Sequence, residues 1–247
     1  MVSLIIIAKC VANHLEKKEK IQDIMTAVKL VWQTPDIDNM IGYMARVSNP
    51  SATPEDPSEK LIGYLIKHKH WSPFEMANVC VEINTTRDIA RQILRHRAFH
   101  FQEFSQRYSK VSEEALFAEA RLQDIKNRQN SFKTDDLDVH EKWDNLQKAS
   151  WECDYQRYQE ALELGIAKEV ARKLLPEGLT QTKMYMNGTL RDWIHYLGVR
   201  TSVETQLEHR QVANEILAVL EGSCPVVFQA ARQAGIIEPV DAPRQDP

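Results

Sequence analysis

Apolar positions along this 247-residue chain fall into a few strand-like alternations and a larger set of helical stripes. Residues 3–12 (SLIIIAKCVA) form an apolar run that predicts a strand. Residues 74–84 (FEMANVCVEIN) predict a second, alternating with Val79, Val81 and Ile83 on one side and Cys80, Glu82 and Asn84 on the other. Residues 36–48 and 58–70 are amphipathic at helical spacing, with Ser58 placed to cap the second helix and a turn-rich stretch, SNPSATPEDPS, between them. In TTRDIARQILRHRAF (85–99), Ile89, Ala90, Ile93 and Leu94 line one side while Arg87, Arg91 and Arg95 recur every four residues beside it. A helix there has an apolar side and a cationic one. Residues 112–138 are polar and read as a loop or a weakly packed hairpin. A long helix over 139–165 follows, then one ending at Pro176. Residues 178–189 (GLTQTKMYMNGT) look extended and close on an Asn187-Gly188 turn signal. Helices over 190–200 and 202–222 and a short last one from Cys224 complete the pattern, and the tail 238–247 has the composition of a disordered segment. With no internal repeat and no linker, the expectation is one α+β domain over residues 1–235 and a disordered tail over 236–247.

Composition narrows the function classes. A net charge of -4, with 27% charged and 43% hydrophobic residues, suits a soluble globular protein and argues against a general nucleic-acid binder, which would carry a basic surface. No apolar run approaches the roughly 20 residues of a membrane span, and the start MVSLIIIAKC lacks a basic leader and cleavage site. The expectation is a cytosolic protein with no membrane or nucleic-acid partner. Cys10, Cys80, Cys153 and Cys224 are scattered without a CxxC pair, so reduced thiols are expected rather than disulfides or a cysteine zinc site. Only 8 glycines are present and no glycine-rich phosphate loop is found, so any phosphorylated ligand falls to arginines.

The segment RQILRHRAFHFQEFSQRYS (91–109) concentrates such groups. It holds Arg91, Arg95, Arg97, Arg107, His96, His100 and Glu103 among Ile93, Leu94, Phe99, Phe101 and Phe104. A solvated basic helix face is the plain reading of arginines on a helix. Against it stand the phenylalanines, the closeness of Glu103, Ser105 and Arg107, and the return of the theme at Arg172 and at Arg191, His195 and Arg200. A metal reading on His68 with His70, or His96 with His100 at one-turn spacing, is disfavoured by the missing HExxH and the neighbouring cations. Cys80 and Cys224 read as structural, and Ser105 has no His-Asp pair spaced to activate it.

The segment resembles the signature of the flavin-dependent thymidylate synthases: Arg95-His96-Arg97, seven residues, then Ser105. The resemblance extends through EFSQRYS to HWSPFE (70–75), ARVS (45–48), ARKLLP (171–176) and LRDWIHYLGVR with TQLEHR (190–210), in order over residues 36–232. It implies a helix-rich α+β fold around a small, mainly antiparallel sheet, in the cytoplasm of a bacterial or virus-infected cell. The implied reaction methylates dUMP to dTMP with methylenetetrahydrofolate as carbon donor and FAD reduced by NADPH, in a homotetramer with shared sites and without a cysteine nucleophile. On that pattern Gln92, Arg95, Glu103, Ser105, Gln106, Arg107, Arg172 and Arg200 bind dUMP, with Arg200 catalytic at the pyrimidine edge. Ser48, His70, Ser72, Arg95, His96, Arg97, Glu103, Thr189, Arg191 and His195 bind FAD. Asn187 stands in for the amide of an Asn-x-Arg pattern that this chain replaces with Thr189-Leu190-Arg191; Gln102 and Ser72 are smaller departures. A flavin- and folate-dependent hydroxymethylase acting on dUMP or dCMP fits the same motifs. A nucleic-acid module stacking bases on the phenylalanines, and a flavin protein without catalysis, are the readings from other classes.

Overall fold

The alternation read over residues 74–84 is realised, shifted along the chain, as the central strand of a four-stranded antiparallel sheet. In a computed structural model, residues 27–238 are described; the strand expected over 3–12 and residues 239–247 of the expected tail lie outside them. Phe74 falls in a short 3-10 turn (Ser72–Glu75), and β2 runs Asn78–Thr86 between β1 (Ala27–Gln33) and β6 (Gln181–Thr189), with β3 (His100–Glu103) on the far edge of β6. Val81 pairs with Met186 and Ile83 with Met184, so apolar residues of both strands share the buried face. Glu82, Lys183 and Tyr185 take the other face, where Lys183 reaches Glu82 at 3.1 Å. β1 covers a stretch to which the sequence assigns no element. As an edge strand it draws its ladder from β2 alone and leaves Leu30, Val31 and Trp32 exposed, so no one-sided pattern marks it.

Strands pass into helices without a loop at two places. β2 continues at Thr86 into α3 (Arg87–Ile93), and β6 continues at Thr189 into α6 (Leu190–Arg200). The second junction is a capping box, in which Thr189 Oγ1 accepts from the Asp192 N–H at 3.3 Å and Asp192 Oδ2 accepts from the Thr189 N–H at 3.0 Å. Because β2 and β6 are antiparallel, with Thr86 opposite Gln181 and Asn78 opposite Thr189, the two helices start from opposite ends of the sheet. Rises of about 10 Å and about 16 Å together match the roughly 26 Å length of β6. Their C-terminal ends therefore meet over the sheet.

α1 (Ile37–Ala45), α2 (Glu59–Lys67), α7 (Leu207–Ser223) and α8 (Pro225–Gln233) complete the main apolar cluster. A second cluster, Val111, Trp151, Tyr158, Ala171 and Leu175, lies under the long α4 (Leu137–Glu163) with α5 (Lys168–Ala171) and a 3-10 turn (Arg172–Leu174). α4 holds the preceding chain by polar clamps: Gln147 accepts from the Ala118 N–H at 2.9 Å and donates back to its carbonyl at 3.0 Å, and Trp151 donates to Glu113 O at 2.8 Å. The polar stretch 112–138 contains a short hairpin, β4 (Arg121–Gln123) with β5 (Ser131–Lys133). Arg121 ties it to Glu208 of α7 at 2.6 Å.

Ser58 corrects one expectation. Its side chain caps nothing; its Oγ bonds Asp56 O at 3.2 Å and the residue is buried against Gly42 of α1. A Cβ at Gly42 would stand 1.8 Å from Ser58 Oγ and 2.3 Å from its Cβ, so α1 and α2 approach only because position 42 has no side chain. Gly63, inside α2, meets nothing within 4 Å. Gly42→Ala should lower unfolding stability by about 1–3 kcal/mol through overpacking, whereas Gly63→Ala should raise it by up to about 1 kcal/mol through helix propensity. Urea unfolding of the two variants checks the opposite signs.

Candidate active site

The meeting of the two helix ends sets a guanidinium against an imidazole. Arg200, the last residue of α6, donates from Nε to His96 Nε2 at 2.9 Å. His96 lies beyond α3, which ends at Ile93 and not at Phe99 as the arginine stripe suggests; turns closed by Arg95 N to Gln92 O and Phe99 N to His96 O carry the chain onward. One more helical repeat would have turned His96 or Arg97 into the core, whereas the next apolar anchor is Phe99. Arg95-His96-Arg97 therefore sit on a turn, with Arg95 and Arg97 exposed, and His96 shares no helix face with His100, which opens β3. To accept from Arg200, His96 must be neutral. Burial, then Arg200, then Arg95 push its pKa down to about 4.

A chain of bonds running from the interior to the surface backs this pair. The ring of Tyr196 stands edge-on to His96 with centroids 4.8 Å apart, and its hydroxyl meets Nε2 of His209 at 3.0 Å. His209 Nδ1 meets Gln92 Oε1 at 3.2 Å, and Gln92 Nε2 donates to Gln206 Oε1 at 2.7 Å. His209 has no exposed surface, and burial, then Arg200 and His96, push its pKa down to about 3. No role is assigned to Tyr196 or His209 from the sequence, although His209 stands on the inward stripe of α7 with Val212, Ala213, Ile216 and Leu220. A histidine at an apolar-stripe position was the available signal.

A second group gathers beyond β3. Arg87 reaches Glu103 at 3.2 Å and Thr182 donates to the same Oε1 at 2.8 Å, two partners that the sequence pattern does not flag. Ser105 Oγ accepts from the Arg107 N–H at 3.4 Å, Arg107 pairs with Glu169 at 3.3 Å, and Arg172 follows three residues on. Arg91 is paired with Glu177. Gln106 is buried with its Nε2 lacking a partner among the described residues. An open cleft of about 580 Å³ beside this group is lined by Arg107, Lys110 and Lys168.

The third group lies at the other end of β6. Asn187 faces Cys80 across one ladder and His100 across the other, with its Oδ1 unpartnered among the described residues. Asn187-Gly188 is therefore strand and not a turn, because partners on both sides consume the local backbone donors and acceptors. Thr189 serves as the helix cap, Arg191 pairs with Glu75, and His195 donates from Nδ1 to Arg191 O at 2.7 Å while its ring stands 4.8 Å from that of Trp71. His70 is exposed beside Tyr64 and His68, Ser72 opens the 3-10 turn, and Ser48 is exposed beyond α1. Thr182 and Thr189, which mark the second and third groups, are about 23 Å apart along the strand.

Comparison with known proteins bears on what this arrangement serves. Residues 29–226 match the family described as thymidylate synthase complementing protein. The chain is 52% identical over 196 residues to a flavin-dependent thymidylate synthase of Synechocystis, covering 78% of this chain and 88% of that one. The chain belongs to the flavin-dependent thymidylate synthase family. A probable member from Paramecium bursaria Chlorella virus 1 is 47% identical over 194 residues, covering 78% and 89%. Among solved structures, a UMP/dUMP methylase from Streptomyces cacaoi bound with 5-Br dUMP superposes with a TM-score of 0.76 at 27% identity, over 87% of this chain and 97% of that one. As a flavin-dependent thymidylate synthase the chain is an enzyme, a flavoprotein transferase, with a helix-rich α+β fold around an antiparallel sheet. No described helix is long and apolar enough to cross a membrane.

The depressed histidine values make stability depend on pH with a defined sign. Unfolded, each histidine binds a proton below about 6.5; folded, His96 does so only near 4 and His209 near 3. The unfolded state holds more protons in that window, so stability is full above pH 6.5 and falls as the pH drops. For the wholly buried His209 the loss between pH 6.5 and 5 is on the order of 2 kcal/mol. The thermal midpoint should fall over that interval, and His209→Leu should flatten the profile; an equally steep profile in the variant would assign the effect elsewhere.

Proposed function

We propose that this enzyme methylates dUMP to dTMP, taking the carbon from methylenetetrahydrofolate, with FAD reduced by NADPH as the redox cofactor. The observation that carries the reading is the Arg200–His96 bond, which fixes a guanidinium by its Nε and leaves its terminal nitrogens for a ligand. Carbon 5 of uracil is a poor nucleophile. A fixed cation at the pyrimidine edge stabilises the negative charge that spreads over N3 and the carbonyl oxygens as C5 attacks the one-carbon unit. Neutral His96 suits this task, since an imidazolium would repel Arg200 and could not accept its proton. Buried thiols fit a route without a cysteine nucleophile: burial pushes Cys80 and Cys224 up, and Cys224 donates to Leu220 O at 3.3 Å.

In this reading Gln92, Arg95, Ser105, Gln106, Arg107 and Arg172 hold dUMP, the donors of Gln106 and the cations facing phosphate and carbonyl oxygens. Ser48, His70, Ser72, Arg95, His96, Arg97, Asn187, Thr189, Arg191 and His195 hold FAD, and Glu103 serves both ligands. The residues fit a flavin nucleotide: exposed arginines suit its phosphates, Trp71 beside His195 offers an aromatic wall, and the unpartnered amide oxygen of Asn187 can accept from a ring N–H. Bound FAD would supply the hydride that completes the methyl group. Thr189 enters with its backbone, its hydroxyl being engaged by Asp192. The separation of the second and third groups along β6 supports a homotetramer in which neighbouring copies complete each site.

Purified enzyme given dUMP, methylenetetrahydrofolate and NADPH should yield dTMP; 5-hydroxymethyl-dUMP as the product would overturn methylation in favour of the hydroxymethylase. Arg200→Ala should lower kcat by about 10²–10³ while the protein remains yellow, and unchanged turnover would remove the electrostatic role. Dilution to monomers should abolish flavin binding and activity together.

A further inference from the structure

His209 is expensive where it stands. It stands on the inward stripe of α7, where an aliphatic residue in line with Val212 and Ile216 would be buried without the cost of burying an imidazole. What the imidazole adds is direction. His209 Nε2 is the one partner of the buried Tyr196 hydroxyl among the described residues, so that hydroxyl strands its proton unless it donates to Nε2. That places the ring proton on Nδ1, from which it is donated to the carbonyl oxygen of the Gln92 amide. The amide NH₂ then turns the other way, with one proton on Gln206 Oε1 and one left for a ligand. A Gln92 amide flipped end for end would set its NH₂ against Nδ1–H, donor facing donor.

We propose that His209 is a positioning residue that orients the Gln92 amide so that it offers an N–H donor to the nucleotide. The inference rests on the reading of Gln92 as a dUMP ligand. His209 faces Tyr196 and Arg200 on α6 and His96 beyond α3, so the same chain of bonds that backs the Arg200–His96 pair also sets Gln92. The two nucleotide-facing groups are thereby held by one scaffold, and the bond order within it admits a single amide orientation.

The test uses the flavin-loaded full-length enzyme, with dUMP as the probe by calorimetry and steady-state kinetics. His209→Leu should raise the Kd and KM for dUMP about tenfold with kcat within about twofold and flavin content unchanged. His209→Asn, whose side-chain NH₂ stands near the former Nδ1–H, should restore most of the affinity. Gln92→Ala should weaken dUMP binding by itself, and adding His209→Leu to it should cost nothing more. An unchanged Kd in His209→Leu, or a loss that multiplies with that of Gln92→Ala, overturns the proposal while leaving the nucleotide site in place. If Gln92→Ala binds dUMP normally, the Gln92 assignment and the proposal fall together. Should the leucine variant not fold, Tyr196→Phe frees the tautomer of His209 and should raise the Kd several-fold; an unchanged Kd there is equally decisive against it.

Discussion

Two neighbouring antiparallel strands each run directly into a helix, and the site lies where those two helices, started from opposite ends of the sheet, come together. With no loop at Thr86 or Thr189 to absorb a change of course, α3 and α6 are bound to the ends of the sheet from which they spring. Their combined rise matches the length of the strand beneath them, so the residues that finish them, His96 beyond α3 and Arg200 on α6, come within hydrogen-bonding distance. The apolar face of β2 and β6 pays for the arrangement by burying Val79, Val81, Ile83, Met184 and Met186 beneath the helices.

Within this frame the electrostatics divide by depth. Near Arg200 the interior is dry enough that burial outweighs every charge effect on His96 and His209, and the two imidazoles act as neutral acceptors and donors and not as cations. Farther out, Arg91, Arg107 and Arg191 are half-exposed and paired with Glu177, Glu169 and Glu75. Exposed pairs of this kind contribute little to stability, so a ligand phosphate can exchange with their carboxylates at small cost. The site thus combines the fixed guanidinium of Arg200 with half-exposed arginines that can be recruited.

Legibility in the sequence tracked how one-sided each element's environment is. β2 and the helices around the core were readable because a single buried face imposes a period, as in Val79, Val81 and Ile83. β1 was not, since four of its seven residues are exposed and its existence depends on the β2 ladder. The end of α3 was hidden because Arg95 continues the cationic stripe after the apolar one has stopped. Asn187-Gly188 looked like a turn because local chemistry cannot register that β2 and β3 flank it. Among the candidate site residues, ordered motifs pointed to Arg200, His96 and Glu103, whereas Tyr196, His209, Arg87 and Thr182 act by contacts across 13 to 117 residues of chain, which no local spacing encodes.

Gly188 gives the turn between α3 and β3 its rigidity. A Cβ there would lie 2.5 Å from the ring of Phe99; without one, the ring settles over the strand, edge-on to Trp193 at 4.6 Å. Ile93 and Phe99, both buried, clamp the exposed run of Arg95 to Arg97 at each end, while Arg200 holds His96 in its middle. The exposed Arg95 and Arg97 are thus ordered before any anion arrives. An incoming phosphate need not supply the conformational entropy of a floppy loop, about 1–2 kcal/mol per residue fixed, and more of its electrostatic attraction remains as affinity.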